Sequence, residues 1–192
     1  MPRPLSVSFY RRPTLTVARE LLGKIFERCV GNDVLIGRIV EVEAYHEDGD
    51  EASHSFRGRT PRNAVMYRPG GCLYVYFTYG MHDCMNVVTE GPGVGAAVLI
   101  RAIEPLAGID VMRRHRGVER LRDIASGPGK CCQAFAVGRA ENGASLRSPA
   151  LRIVDAEEIP DSEILLSRRI GIRKSVELEW RMSVRGSGFV SR

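Results

Sequence analysis

The hydrophobic pattern of the chain changes period several times, and each change marks an element. In "TVARELLG", Val17, Leu21 and Leu22 form an apolar stripe at helical spacing. Thr16 is placed to cap that helix and Gly23 to end it, because glycine readily takes the left-handed backbone that closes a helix. "VLIGRIVEVEAY" alternates with period two and predicts a strand. On such a strand Ile39, Glu41, Glu43 and Tyr45 share one face, and Val40, Val42 and Ala44 share the other. The apolar set is the expected core face, so the acidic set looks either to water or into a cleft. "CLYVYFTYG" predicts an aromatic strand ending at Gly80. "AAVLIRAI" predicts another, apolar throughout except for Arg101.

"EPLAGIDVMRRHRG" predicts a helix with Leu106, Ile109 and Met112 on one face and its basic residues at the C-terminal end. "SGPGKCCQAFAVG" predicts a helix capped by Ser126, with Pro128 in its first turn. The tail predicts two or three short strands, with Trp180, Met182 and Val184 alternating inward. Between the first strands lies "HEDGDEASHSFRGRTPRNAVMYRPGG", a polar loop long for a compact domain; such loops are usually functional or disordered. Strands and helices are interspersed without regular βαβ crossovers. The pattern predicts an α+β fold, a single domain over residues 1–192 with a mainly antiparallel β-sheet core flanked by helices.

Composition narrows the function classes. A chain of 192 residues is long enough to bury a good core. No apolar run approaches the ~20 residues that span a bilayer, and the N-terminus lacks the apolar centre of a secretory signal. A cytoplasmic protein with no membrane partner is the expectation. The five cysteines are odd in number and include no CxxC, which argues for a reducing compartment. "HDC" and "CC" lack the second pair that a closed zinc site needs, and the HxE and PCxxC of a zinc deaminase are missing. No metal and no cofactor are expected. The net charge of +5 is carried almost wholly by arginine, since Lys24, Lys130 and Lys174 are the only lysines. Arginine's planar fork suits phosphate, and a basic chain is compatible with nucleic-acid binding without establishing it.

Four features could carry chemistry. Tyr74, Tyr76 and Tyr79, followed by "GMHDCMN", form either a tyrosine-rich core or a stacking platform for an extruded base. Stacking is worth roughly 1–3 kcal/mol per base, and a cationic base gains more from the ring quadrupole. Arg101 either pairs with a carboxylate such as Glu43 or reaches solvent on its long stem. His54 is either a ring edge that contacts a ligand or a plain loop histidine. "SGPGK" offers either backbone amides to a phosphate or a simple Gly-Pro turn.

In order along the chain, "LLGK", "GRIVEVEAY", "DEASHS", "RTPRNAVMY", "GCLYVYFTYGMHDCMNV", "AAVLIRAIEPLAG", "SGPGKCCQA" and "VRGS" resemble the alkyladenine (3-methyladenine) DNA glycosylase family, over roughly residues 14–188. The resemblance implies that Glu43 is the carboxylate that activates water and that Arg101 steadies it. It implies that Tyr45, His54 and Tyr76 wall a pocket for the flipped base, and that Asn86 screens bases by their exocyclic groups. Tyr79 would wedge into the duplex, flanked by Met81 and His82. Arg62, Gly127, Gly129 and Lys130 are the expected DNA-backbone contacts. Glu41 matches no role and is expected to be a bystander.

A base inside the stack cannot be reached, so it must be extruded. Its N-glycosidic bond then breaks through an oxocarbenium-like transition state, which a carboxylate stabilises while accepting the water's proton. Alkylation at N3 or N7 makes the purine a cationic leaving group. A lyase needs an amine nucleophile, and the three lysines are distant in sequence from the pocket motifs. The expectation is a monofunctional glycosylase, monomeric, nucleoid-associated if bacterial. Its partner would be double-stranded DNA carrying 3-methyladenine or 7-methylguanine type lesions, and its product an abasic site. A pure binder of damaged DNA would have no use for a carboxylate facing C1′.

Overall fold

The computed structural model describes residues 3–78 and 80–191. Ser6 accepts the Phe9 amide and opens a short helix, α1 (Val7–Tyr10). Helix α2 (Thr14–Leu21) starts earlier than its sequence suggests, with Pro13 at the cap position rather than Thr16. The fixed φ of proline pre-sets the entry, and the Thr14 hydroxyl contacts Glu90 and Thr89. Gly23 then turns the chain with a φ of 84°, as expected of a helix stop.

The strands follow as β1 (Ile25–Val30), β2 (Asp33–His46), β3 (Leu73–Thr78), β4 (His82–Val88) and β5 (Ala96–Ala107). After helices α3 (Ile109–Arg116) and α4 (Pro128–Ala134) come β6 (Arg147–Ser148), β7 (Leu151–Val154), β8 (Ile164–Ser167) and β9 (Arg181–Val184). All pairings between these strands are antiparallel, in the order β3-β4-β5-β2-β1-β7-β6. Strand β2 is the spine. Its first half pairs β1, residues 41–43 pair β9, and β5 pairs nearly its whole length on the other edge.

Three register shifts break the β2–β5 ladder. Leu106 and Arg101 are extra residues on β5, and Val40 is an extra residue on β2. A bulge re-aims side chains locally, and these two neighbouring bulges change which residues share a face. Ile39 joins Val42 and Ala44 in the main core rather than sharing a face with Glu41 and Glu43. The same irregularity turns Arg101 out of the apolar row of β5 and toward the two glutamates.

Strand β5 also runs on through Pro105, so the start of the expected helix is strand. Pro105 pairs Gly37 of β2 and lies beyond the stretch paired by β4, where a missing N–H is tolerated. Helix α3 begins only after Gly108, and Leu106 is exposed rather than on a helix face. In α4, Pro128 stands in the first turn as expected, but Ser126 makes no cap; its hydroxyl accepts from Lys130 Nζ at 3.3 Å.

Helices α2, α3 and α4 contribute Val17, Leu21, Met112, Cys131 and Cys132 to one core with Phe26, Val42, Val98 and Ile100. Full burial of each such large side chain contributes roughly 1.5–3 kcal/mol. The long loop after β2 is ordered by side chains. Asn63 donates to the His54 and Gly58 carbonyls, and Ser55 donates to the Gly95 carbonyl. Among the described residues no helix is long and apolar enough to cross a membrane.

Candidate active site

Glu41 and Glu43 of β2 are both fully buried. Arg101 of β5 spans them, with Nε 3.0 Å from Glu41 Oε1 and Nη1 3.2 Å from Glu43 Oε1. Burial opposes the charge on Arg101, but Glu43 and Glu41 outweigh it and hold the guanidinium's pKa above its ordinary value. Glu43 Oε1 also accepts the Ile170 amide at 2.7 Å, and Oε2 accepts the Tyr45 hydroxyl at 2.8 Å. Burial and then the Glu43 charge push the Tyr45 pKa upward, so that hydroxyl remains a donor. Glu41 is equally committed. It accepts from Arg101, from Arg181 Nε at 2.7 Å, and from the Ser191 amide and hydroxyl at 2.6 and 2.8 Å. It is no bystander: it holds one end of Arg101 and ties β9 and the last described residues to β2.

A cavity of about 870 Å³ opens in front of this pair. Tyr45, Leu99 and Arg101 line it, and Glu43 lies behind them. Part of the wall is aromatic. Tyr74 and Tyr76 stack at 5.5 Å, and His54 meets Tyr76 edge-on at 4.5 Å. His54 Nδ1 is 3.0 Å from the Tyr74 hydroxyl. Packing of the ring into this wall lowers the His54 pKa, and the nearby Arg62 charge lowers it further, so the ring stands neutral. The Asn86 side chain donates Nδ2 to the Tyr74 carbonyl at 3.1 Å. Cys84 also lines the cavity, its thiol pushed up to about 11 chiefly by burial.

The rim carries the remaining expected residues. His82 is exposed and lines the cavity, and Met81 beside it is 68% exposed. Tyr79, the expected wedge, lies outside the described residues. Gly127, Gly129 and Lys130 line the cavity on the α4 side. A Cβ on Gly129 would stand 3.0 Å from the His82 side chain, so the helix start and the β3–β4 hairpin meet closely there. Arg62 does not line the cavity.

The chain matches the methylpurine-DNA glycosylase family over residues 8–188. It belongs to that family. Its relatives include proteins carrying the provisional name 3-methyladenine DNA glycosylase. The protein from Chlorobaculum parvum is 50% identical over 97% of this chain and 90% of its own length. That from Chlorobium phaeobacteroides is 49% identical over 97% and 94%, and that from Agrobacterium fabrum 48% identical over 96% and 91%.

Several residues of this methylpurine-DNA glycosylase family member escaped the reading of its sequence. Arg169 forms a bidentate pair with Asp50 at 2.6 and 2.7 Å and lies 4.6 Å from the centre of the Tyr45 ring. Ile170, Arg181 and Ser191 join the site from the C-terminal quarter. Asp50 stands inside the "DEASHS" motif, which was a usable signal; Arg169 and Ile170 carried none. The fold also brings Lys130 and Lys174 to the cavity despite their distance in sequence. Lys174 is engaged by Glu51 at 2.7 Å.

Proposed function

We propose that the chain is a monofunctional DNA repair glycosylase that flips 3-methyladenine and 7-methylguanine type bases out of duplex DNA and hydrolyses their N-glycosidic bonds. The observation that carries this reading is Glu43, a buried carboxylate set behind an aromatic-walled cavity. A carboxylate offers about four lone-pair sites. Ile170 and Tyr45 donate to one oxygen each of Glu43, Arg101 forms an ion pair with Oε1, and the remaining site on Oε2 is assigned to water.

In the step itself, the C1′–N9 bond breaks and its electron pair leaves with the purine, neutralising the base's positive charge. The water oxygen bonds to C1′, and its proton passes to Glu43. Arg101 keeps the carboxylate oriented, and the negative charge of Glu43 offsets the developing oxocarbenium. Tyr45, Tyr76 and the neutral His54 grip the base. A charged His54 would repel a cationic purine, so its lowered pKa supports the assignment. Asn86 would screen exocyclic groups. Tyr79, with Met81 and His82, would fill the gap in the duplex, while Arg62, Gly127, Gly129 and Lys130 would meet the phosphates.

The test is base release from duplex DNA carrying 3-methyladenine, 7-methylguanine or hypoxanthine. Release of the methylated purines, with an abasic site and an unbroken strand, is the expected result. Since Lys130 and Lys174 reach the cavity, borohydride trapping belongs in the same experiment, and a trapped protein–DNA adduct would make the enzyme a lyase. Damaged-DNA binding without any release would leave a binding protein instead.

A further inference from the structure

Asp50 and Arg169 take no direct part in the reaction proposed above, yet both side chains are fully buried beside it. Their arrangement is costly. Arg169 Nε is buried with no hydrogen-bond partner among the described residues, and replacing a buried ion pair by apolar groups is often neutral or stabilising. Stability alone is therefore a poor reason for the pair.

What the pair does geometrically is join two loops. Asp50 belongs to the turn after β2, and Arg169 to the segment that leaves β8. Arg169 also donates to the Ala44 carbonyl at 2.9 Å. Two further links run between the same loops: the Glu51 amide to Ser175 Oγ at 2.9 Å, and Lys174 to Glu51. Ile172, Arg173 and Lys174 line the cavity together with Glu51 and Ala52. The residue after Arg169 is Ile170, whose amide reaches Glu43 at 2.7 Å. The guanidinium itself lies under Tyr45 and within 5.4 Å of the Trp180 ring centre.

We propose that the Asp50–Arg169 pair is a positioning element for Glu43 and Tyr45, a proposal that rests on the hydrolytic role given to Glu43. It clasps the 168–175 loop to the 50–52 turn, so that the Ile170 amide is delivered to Glu43 Oε1 and Tyr45 keeps its stacking plane. An error of about 1 Å in such a site can cost ~10²-fold in rate, so a loosened clasp should slow chemistry more than binding. Arginine suits the place because its planar fork takes both Asp50 oxygens and the Ala44 carbonyl in one fixed geometry, whereas a lysine ammonium is a point charge without the two-pronged match.

The decisive variants are Arg169→Lys and the neutral pair Asp50→Asn with Arg169→Gln. Both should release 3-methyladenine at least ~10-fold more slowly than wild type at saturating enzyme, while affinity for undamaged duplex stays within about twofold. Trp180 is the only tryptophan, so its emission reports the same loosening in the folded protein. Release within twofold of wild type in either variant would overturn the proposal, and so would a loss that merely follows the unfolded fraction. Should neither variant fold, hydrogen exchange on the wild type decides. The Ile170 amide should be protected at least ~10-fold beyond an open loop amide, because exchange then requires the clasp to open, and unprotected exchange refutes it. A wild type that releases no methylated purine defeats the functional reading, and the exchange measurement still tests the clasp.

Discussion

Glu41 and Glu43 are two residues apart on one strand, and they differ in what surrounds them. Glu43 is shared between Arg101, an amide and a cavity-lining phenol, whereas Glu41 is enclosed by two arginines and Ser191. Glu43→Gln should therefore lower single-turnover base release by ~10²–10⁴, while affinity for alkylated duplex stays within a few fold. Glu41→Gln should act through structure. It leaves Arg101 and Arg181 partly unpaired, and breaking a buried pair costs about 3–5 kcal/mol, so thermal unfolding should move down markedly and release should fall with it. A wild-type melting curve for Glu41→Gln would return that residue to the bystander role.

At the same scale, the His54 ring should titrate below its ordinary value of 6.5, as read by NMR. Because the unfolded chain takes up that proton more readily, His54 should reduce stability as pH falls from 6.5 toward its folded-state midpoint. His54→Gln should remove this loss. The residues legible in the sequence (Glu43, Arg101, Tyr45, His54, Tyr76, Asn86) sit in contiguous motifs with distinctive chemistry. Asp50 meets Arg169 across 119 positions of sequence, and Glu43 meets Ile170 across 127. No local pattern records contacts of that separation.

At the scale of elements, period-two and period-3.6 patterns located the strands well and their ends poorly. "EPLAGIDVM" satisfies a helical spacing, but the β2 edge extends β5 through Pro105, and tertiary pairing overrides propensity. Gly108 makes the switch from strand to helix, with a φ of 72°. A Cβ there would meet Leu35 Cδ2 at 2.6 Å and the Val34 carbonyl at 2.7 Å. Gly108→Ala should cost roughly 1–3 kcal/mol, read as a lower unfolding midpoint in urea. Gly108 does not line the cavity, so the release rate of the folded fraction should be unchanged.

At the scale of the whole molecule, charge and shape divide the work. Arg57, Arg59 and Arg62 are exposed on the loop after β2, as is Arg114 on α3. Arg113 and Arg116 are already engaged, by Asp110 and the Glu119 carbonyl and by the Ile124 carbonyl and Gln133. Among these arginines, the phosphate contacts should therefore come from the first group, beside those of Gly127, Gly129 and Lys130. Each contact should steepen the fall of log K with log salt by about 0.9. Excision at sub-saturating enzyme should then drop sharply with salt, while single-turnover rates at saturation hardly move. Arg59→Ala should shallow the slope by about one unit without changing which lesion is preferred. A salt-dependent lesion preference would mean that backbone contact and base recognition are not separable.

The paired irregularities at Val40 and Arg101 bear on how such a chain can change over generations. Each strand carries one surplus residue, and the second surplus restores the step lost at the first. Loss of either residue alone would close its own bulge, leave the pairs Ile39–Ile103, Glu41–Ala102 and Val42–Ile100 in place, and leave the bulge on the partner strand without the one that offsets it. Loss of both would make this part of the ladder regular but delete the guanidinium. Changes of length in this stretch thus alter the balance between the two strands. Substitution at Val40 preserves that balance, whereas its deletion does not.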